Sequence, residues 1–429
     1  MQFIIHFDTK NDLHHTAIAF LRGCGIFCGY SDSVSIFMSD NLEDSLISLF
    51  DRHVSRKGTD STKLDLCDQM LHGKDLTPAW VADGDFPCPN EVVNEMRKTA
   101  DQSIYGYTYL STAFYQSIVN WYQQEHSLTI DHNNIITSNG VVNALALLIN
   151  TFSKEGDGVI VQSPVYYPFF QLVKENNRVV LDNPLREENG HYSIDFDHFE
   201  SLARSGAKLF ILCSPHNPIG KVWEKEELKK LVDICKTYNI MMISDEIHSD
   251  LIYSPSVFNS TLPFSDDYNN LIVLNSAAKT FNIAGLFTSY GVTYNKEIKQ
   301  RYESTANKWG MHNNLFGIRA TMAAYRSKDY LIALRSYLKG NIDLIDAMIK
   351  ASNKPIGFVR PEATYLAWLD FRGLNLSETK LKAKIHGQAK IGITPGVGFG
   401  KKGAGFYRMN FATPRDNLAD IMSRLLAVF

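Results

Sequence analysis

The chain predicts an α/β fold built on a mainly parallel sheet, joined to a smaller α+β domain, and the pattern of its apolar residues carries that expectation. Between roughly residues 100 and 325, short apolar runs alternate with stretches of helical periodicity. Such alternation implies parallel strands with helices on both faces. After about residue 325 the style changes to a long helical pattern followed by two strand-like runs with a helix between them and a last helix.

Each element has its own reason. Val159 to Gln162, Lys208 to Cys213, Ile240 to Ser244 and Leu271 to Asn275 are continuous apolar runs of strand length, as expected of strands buried on both faces. Glu224 to Tyr238 places Leu228, Leu231, Val232 and Cys235 at i, i+3, i+4 and i+7, the spacing of one helix face. Thr137 to Val142 leads into an apolar helix over Ala144 to Thr151. Tyr330 to about Ala351 has the period of a long helix. Thr364 to Leu369, a further helix, a strand over Phe406 to Phe411 and a last helix from Asp416 complete the chain. The expected organisation is an extension over 1–37, a segment over 38–97 packing with the small domain, a large domain over 98–328 and the small domain over 329–429.

The 429 residues carry a formal net charge of -3 and are 45% hydrophobic, which gives nucleic acid no broad basic surface to bind. Apolar runs such as Ala144 to Ile149 are far too short to cross a bilayer. Cys24, Cys28, Cys67, Cys88, Cys213 and Cys235 lack zinc-type spacing and read as reduced thiols of a cytoplasmic protein, so no metal site is expected. The first 37 residues fit neither a signal peptide nor a clear helix. From Met38 the sequence turns to a capped, acidic helix start, so either Met38 is the biological start or the preceding segment is a small appended element.

Chemistry concentrates at the strand ends. Lys279 follows Leu271 to Leu274, Asp245 closes Met241 to Ser244, and Asn217 lies in Ser214-Pro215-His216-Asn217-Pro218-Ile219-Gly220. Open α/β sheets place ligands at this edge. An amine that can form a Schiff base, a carboxylate for a pyridinium nitrogen and an amide for a phenolic oxygen suit pyridoxal 5'-phosphate (PLP). A lone Asp is more often an N-cap or surface acid, but Asp245 after an apolar strand is a buried charge that a protonated ring nitrogen would compensate. His248 either donates to the phenolic oxygen or is a satisfied core histidine. Asn217, between two prolines, is either a turn residue or a ring-oxygen partner. Gly140, Val141 and Val142 open a helix whose free N–H groups favour a phosphate, with Ser276 as a hydroxyl donor. Tyr166 can stack on the ring or be plain core. Arg408, a charge inside an apolar strand, suits the α-carboxylate of an amino acid.

Taken with Pro78 to Phe86, Tyr105-Gly106-Tyr107, Ser214 to Trp223, Asp245 to Asp250, Lys279 to Leu286 and Thr364 to Leu369, these motifs resemble fold-type I PLP enzymes of the class I/II aminotransferase family. Within it the chain is similar to the MalY/PatB branch of cystathionine β-lyases (C-S lyases), over about Phe50 to Phe429. His248 stands where many relatives carry tyrosine, which points to that branch. The resemblance implies a seven-stranded sheet, Lys279 as the catalytic Schiff-base lysine, Asp245 on the ring nitrogen, and Asn217 and His248 near the phenolic oxygen. Gly140, Val141, Val142 and Ser276 would surround the phosphate, Tyr166 would stack on the ring, and Arg408, with Tyr166 and Asn217 beside it, would bind substrate. Tyr107 would reach the phosphate from the second subunit of a homodimer. The activity implied is β-elimination of L-cystathionine or cysteine S-conjugates to thiol, pyruvate and ammonia. An aminotransferase is the nearest alternative, and a regulatory protein-binding role with vestigial PLP chemistry is the second. Departures from the family pattern are Leu64 for a common Trp, Gly84 for Met, Ile219 for Thr, Ala278 for Ser and Phe287 for a phosphate-binding Arg. Phe287 agrees with the lyase branch, and Gly84 bears on substrate preference.

Overall fold

The computed structural model describes residues 46–429, which form one compact unit. The expectations placed on residues 1–45, including Cys24, Cys28 and Met38, lie outside the described residues.

Seven strands make the main sheet: β1 (Ile135–Ser138), β2 (Gly158–Val161), β3 (Val179–Asp182), β4 (Leu209–Cys213), β5 (Met241–Asp245), β6 (Leu271–Asn275) and β7 (Ser289–Val292), in the order β1-β7-β6-β5-β4-β2-β3. Neighbours from β6 through to β3 are parallel, whereas β7 runs antiparallel to both β6 and β1. The sheet is therefore mixed by a single strand. That strand, with β1 and β3, was not legible, because Ser289-Tyr290-Gly291-Val292 is short, carries a glycine and lacks an apolar run.

Every residue of β4, β5 and β6 is buried. Side chains alternate across a strand, so successive residues feed two different cores. Met241, Ile243, Ile272 and Leu274 enter one cluster, whereas Met242, Leu271 and Val273 enter the other. Burying each such side chain is worth about 1.5–3 kcal/mol, which holds helices against both faces. Among those helices are α1 (Val141–Phe152) and α2 (Lys225–Tyr238). The N-terminus of α2 is closed by Glu227, whose carboxylate accepts the Glu224 N–H at 2.9 Å, and its apolar face of Leu228, Leu231, Val232 and Cys235 is buried.

The later part of the chain adds a four-stranded antiparallel sheet of β8 (Gly357–Phe358), β9 (Leu366–Asp370), β10 (Thr394–Pro395) and β11 (Phe406–Asn410), in the order β8-β9-β11-β10. The long α3 (Lys328–Ser352) packs on the terminal α4 (Arg415–Ala427). Thr77–Pro78 pairs in parallel with Ile391–Gly392, which brings residues 79–86 alongside β11. Ala79 donates to Gly392 O and Asn410 N donates to Ala79 O, at 2.8 and 2.9 Å. Asn90–Asp101 packs instead on Leu315–Ala324.

Candidate active site

Because β7 is antiparallel to both of its neighbours, β1 and β6 point the same way as β2, β4 and β5. Ser138, Cys213, Asp245 and Asn275 therefore end on one edge. The loops leaving that edge carry Gly140, Asn217, His248 and Lys279. Arg408 reaches the same place from β11, where its guanidinium donates to Asn217 Oδ1 at 3.1 Å.

Lys279 is half-buried, and its amine donates to Ala82 O at 2.6 Å. Burial pushes the amine down to about 8, against the opposing pull of Asp83 and Asp245. Asp245 is 6% exposed. Its burial lifts the carboxyl to about 7, although the Ile247 N–H and Lys279 both favour the carboxylate. A cation at this carboxylate would restore its ionised form. The His248 imidazole is pushed down to about 3 by burial and by the positive charge of Lys279 and Arg408, so it is neutral, and its Nδ1 is buried with no partner.

Arg408 is 3% exposed, and the rest of its fork donates to Trp80 O at 2.7 Å. Its Nε has no partner, and the Phe399 ring lies 4.8 Å from its centre. Burial lowers the guanidinium to about 10, which keeps it cationic at neutral pH. Tyr166 is half-buried, beside the Tyr167 and Phe169 rings at 5.6 and 5.7 Å. Burial raises its hydroxyl to about 12, with the charges of Arg408 and Asp245 acting on it in opposite directions.

At the other end, Gly140 has φ +102°, a conformation that L side chains rarely adopt, and caps α1. The first bond of that helix runs from Ala144 N to Gly140 O, so the N–H groups of Val141 and Val142 precede its ladder. Ser276 is buried with its hydroxyl donating to Thr288 O at 2.6 Å and accepting the Ala278 N–H at 3.1 Å. It braces the lysine loop, and serving a phosphate requires that hydroxyl to turn. Tyr107 is not brought to the cluster by its own chain, being fully exposed.

Other groups escaped the sequence reading. Lys63 is buried and donates to Asp85 at 2.9 Å and to Asp83 O at 3.1 Å. Arg56 binds Asp83 and Asp85 at 3.1 and 3.0 Å. Asn282 brackets Gly84, accepting its N–H at 3.0 Å and donating to its carbonyl at 2.9 Å. A Cβ at Gly84 would find Phe86 and Asn282 at 3.5 and 3.7 Å, ordinary contact, so this departure leaves room in the wall. Asp83 and Asp85 were visible within a motif. The backbone carbonyls that bind Lys279 and Arg408 leave no signal in residue types.

Two unpartnered buried nitrogens, an under-compensated carboxylate and the start of a helix on one edge fit PLP: a cationic ring nitrogen at Asp245, a ring oxygen near His248 and a phosphate at α1. Residues 81–425 match the family described as aminotransferase class I and II. The chain belongs to that family. Within it, the chain is 35% identical over 382 residues to cystathionine beta-lyase PatB of Bacillus subtilis (strain 168), covering 88% of this chain and 99% of that protein. It is 31% identical to protein MalY of Escherichia coli (strain K12), covering 86% and 95%. The MalY/PatB branch is thus the part of the family it is similar to. Among solved structures, cystalysin from Treponema denticola, which contains a PLP cofactor, superposes with a TM-score of 0.85 at 32% identity, over 88% of this chain and 98% of that one. The PLP-bound C-S lyase from Staphylococcus hominis gives 0.82 at 29% identity, over 88% and 97%. These family members share the fold-type I architecture.

Proposed function

We propose that the chain is a PLP-dependent carbon-sulfur lyase that eliminates the thiol from L-cystathionine or a related cysteine S-conjugate, leaving pyruvate and ammonia. The observation that supports PLP chemistry is the edge where the Lys279 amine, the Asp245 carboxylate and the Arg408 guanidinium meet, each burdened by burial. The likeness to proteins named cystathionine beta-lyase and C-S lyase supports the lyase outcome.

When bound, PLP supplies an electron sink for the Cα of the amino acid joined to it, chemistry that no side chain offers. The remaining work falls to the chain. Lys279 would hold the cofactor, Asp245 its ring nitrogen, Asn217 and His248 its ring oxygen, and Gly140, Val141, Val142 and Ser276 its phosphate, with Tyr166 against the ring. Arg408 takes the α-carboxylate of the substrate with its two-pronged fork. The neutral Lys279 amine takes the Cα proton, and burial keeps enough of it neutral near pH 8 to do so. Sulfur leaves Cβ with the bonding electrons, and the three-carbon fragment hydrolyses. Residues 98–328 would form the cofactor-holding domain, and 329–429, with the preceding segment, the smaller one. The enzyme would be a cytoplasmic homodimer, the Tyr107 of each subunit serving the other's site.

The test is purified protein with PLP and L-cystathionine, following thiol and pyruvate. Equal amounts of the two are expected, and none from Lys279→Ala, which also loses the visible absorbance of lysine-bound PLP. Amino-group transfer to a 2-oxo acid without pyruvate would make the chain an aminotransferase instead.

A further inference from the structure

We propose that Tyr365 is a positioning residue for the amine of Lys279, acting through the carbonyl of Ala82, to which both donate. The inference rests on the reading of Lys279 as the proton-transfer group. Ala82 O accepts Lys279 Nζ at 2.6 Å and Tyr365 Oη–H at 3.0 Å, so both of its lone pairs are used. The carbonyl itself cannot swing away. On one side Trp80 O accepts Arg408 at 2.7 Å, and on the other Asn410 Nδ2 bridges Val81 O and Asp83 O at 2.7 and 2.6 Å. Ala82 thus presents a fixed acceptor to the amine.

Tyr365 is placed with comparable care. It is 2% exposed, its ring stands edge-on to the His248 ring at 6.0 Å, and it follows Thr364, which has φ +70°. A β-branched residue in the left-handed region is unfavourable and persists only where its surroundings impose it. Here they do. Thr364 N donates to Leu251 O at 2.8 Å, the Tyr253 hydroxyl donates to Thr364 O, and Leu366 N donates to Thr364 Oγ1 at 3.2 Å. The strained turn delivers the Tyr365 hydroxyl to the one carbonyl that holds the catalytic amine.

Two consequences follow for the amine. A neutral amine donating to Ala82 O has its lone pair turned elsewhere, on the side where Asp245 and Arg408 act on it. Second, a carbonyl already accepting from a hydroxyl is a poorer partner for an ammonium, which favours the neutral amine. Loss of the Tyr365 hydroxyl therefore strengthens the hold of Ala82 O on the protonated form.

Tyr365→Phe tests this in three readouts. In cofactor-free protein, the pH dependence of reductive methylation of Lys279, read by mass spectrometry, should shift upward by about half a unit or more. In PLP-loaded protein, kcat for elimination should fall about 5- to 10-fold, with KM and PLP content held within about twofold. The acid limb of the kcat profile should move the same way as the methylation midpoint. An unchanged methylation midpoint and kcat overturn the proposal, and so does a loss of kcat accompanied by equal losses of PLP content and melting temperature. Should Tyr365→Phe not fold, Thr364→Gly decides. Glycine tolerates φ +70° but frees the turn, so kcat should fall with the hydroxyl still present, and wild-type kcat overturns the proposal. Lys279→Ala, run in parallel, separates the two readings: if that variant keeps Cα proton exchange in D2O, the role given to Lys279 fails, whereas a dead Lys279→Ala beside an unaltered Tyr365→Phe fails only the positioning role.

Discussion

A guanidinium that spends its hydrogen bonds on a carbonyl and an amide is short of a counter-charge, and Arg408 is held in that condition with its Nε unpartnered. On the proposed function, an incoming α-carboxylate would supply the missing charge. Arg408→Ala removes a charge-assisted, two-pronged contact, so kcat/KM should fall roughly 10- to 150-fold, while PLP content, read by absorbance, stays near normal. Asp245 gives a second prediction, in stability. Burial raises its carboxyl from 3.8 to about 7, so between those values the unfolded chain is ionised while the folded cofactor-free protein keeps its proton. The folded state then binds more protons, and stability falls as pH rises through that window. Asp245→Asn does not titrate. In cofactor-free protein it should match wild type near pH 4 and exceed it near pH 7.5, by on the order of 2 to 4 kcal/mol, while binding PLP more weakly. Urea unfolding at the two pH values measures it, and an advantage that does not grow with pH would refute the account.

At the scale of elements, the turn carrying Asn217 shows what a glycine does that no pattern announces. Gly220 has φ +67°, and a Cβ there would lie 2.5 Å from Pro361 Cβ and 3.0 Å from Ala363 O. Its carbonyl also accepts the N–H groups of Glu362 and Ala363 at 2.8 and 3.0 Å, tying the Asn217 turn to the approach of Thr364 and Tyr365. Gly220→Ala should therefore cost about 2 kcal/mol or more in urea unfolding and weaken PLP binding with it. Gly387→Ala is the control, since nothing lies within 4 Å of where its Cβ would stand and its φ is ordinary, so it should be neutral. The strands that end in Asp245 or lead to Asn217 and Lys279 were legible because each is an apolar run closed by polar residues. β1, β3 and β7 were not, since β1 ends in two polar residues, β3 is exposed or half-buried throughout and β7 is interrupted by Gly291. The charged side chains of the candidate site could be read because charges in apolar surroundings stand out. The carbonyls of Trp80 and Ala82 belong to every residue type alike, and only the folded chain shows that the Arg408 guanidinium uses the first and the Lys279 amine the second.

For the whole molecule, a single chain leaves one predicted site residue stranded. Tyr107 is fully exposed, and Ile104, Tyr105 and Tyr109, exposed at 80%, 56% and 81%, share its loop. So much apolar and aromatic surface in one short segment fits the shared site proposed above, in which a partner subunit would cover it. In a symmetric dimer each subunit covers the other by the same patch, so the exposed loop of one subunit would be offered to the partner's site. Complementation separates this from a solvent-facing loop. Lys279→Ala and Tyr107→Ala are each expected to be impaired alone. If sites are shared, a heterodimer of the two collects both lesions in one site and leaves the other intact, and random pairing restores about a quarter of wild-type turnover. If each chain builds its own site, every site in that heterodimer carries one lesion and co-expression restores nothing. Sedimentation of the wild type as a strict monomer would exclude shared sites before any mixing is done.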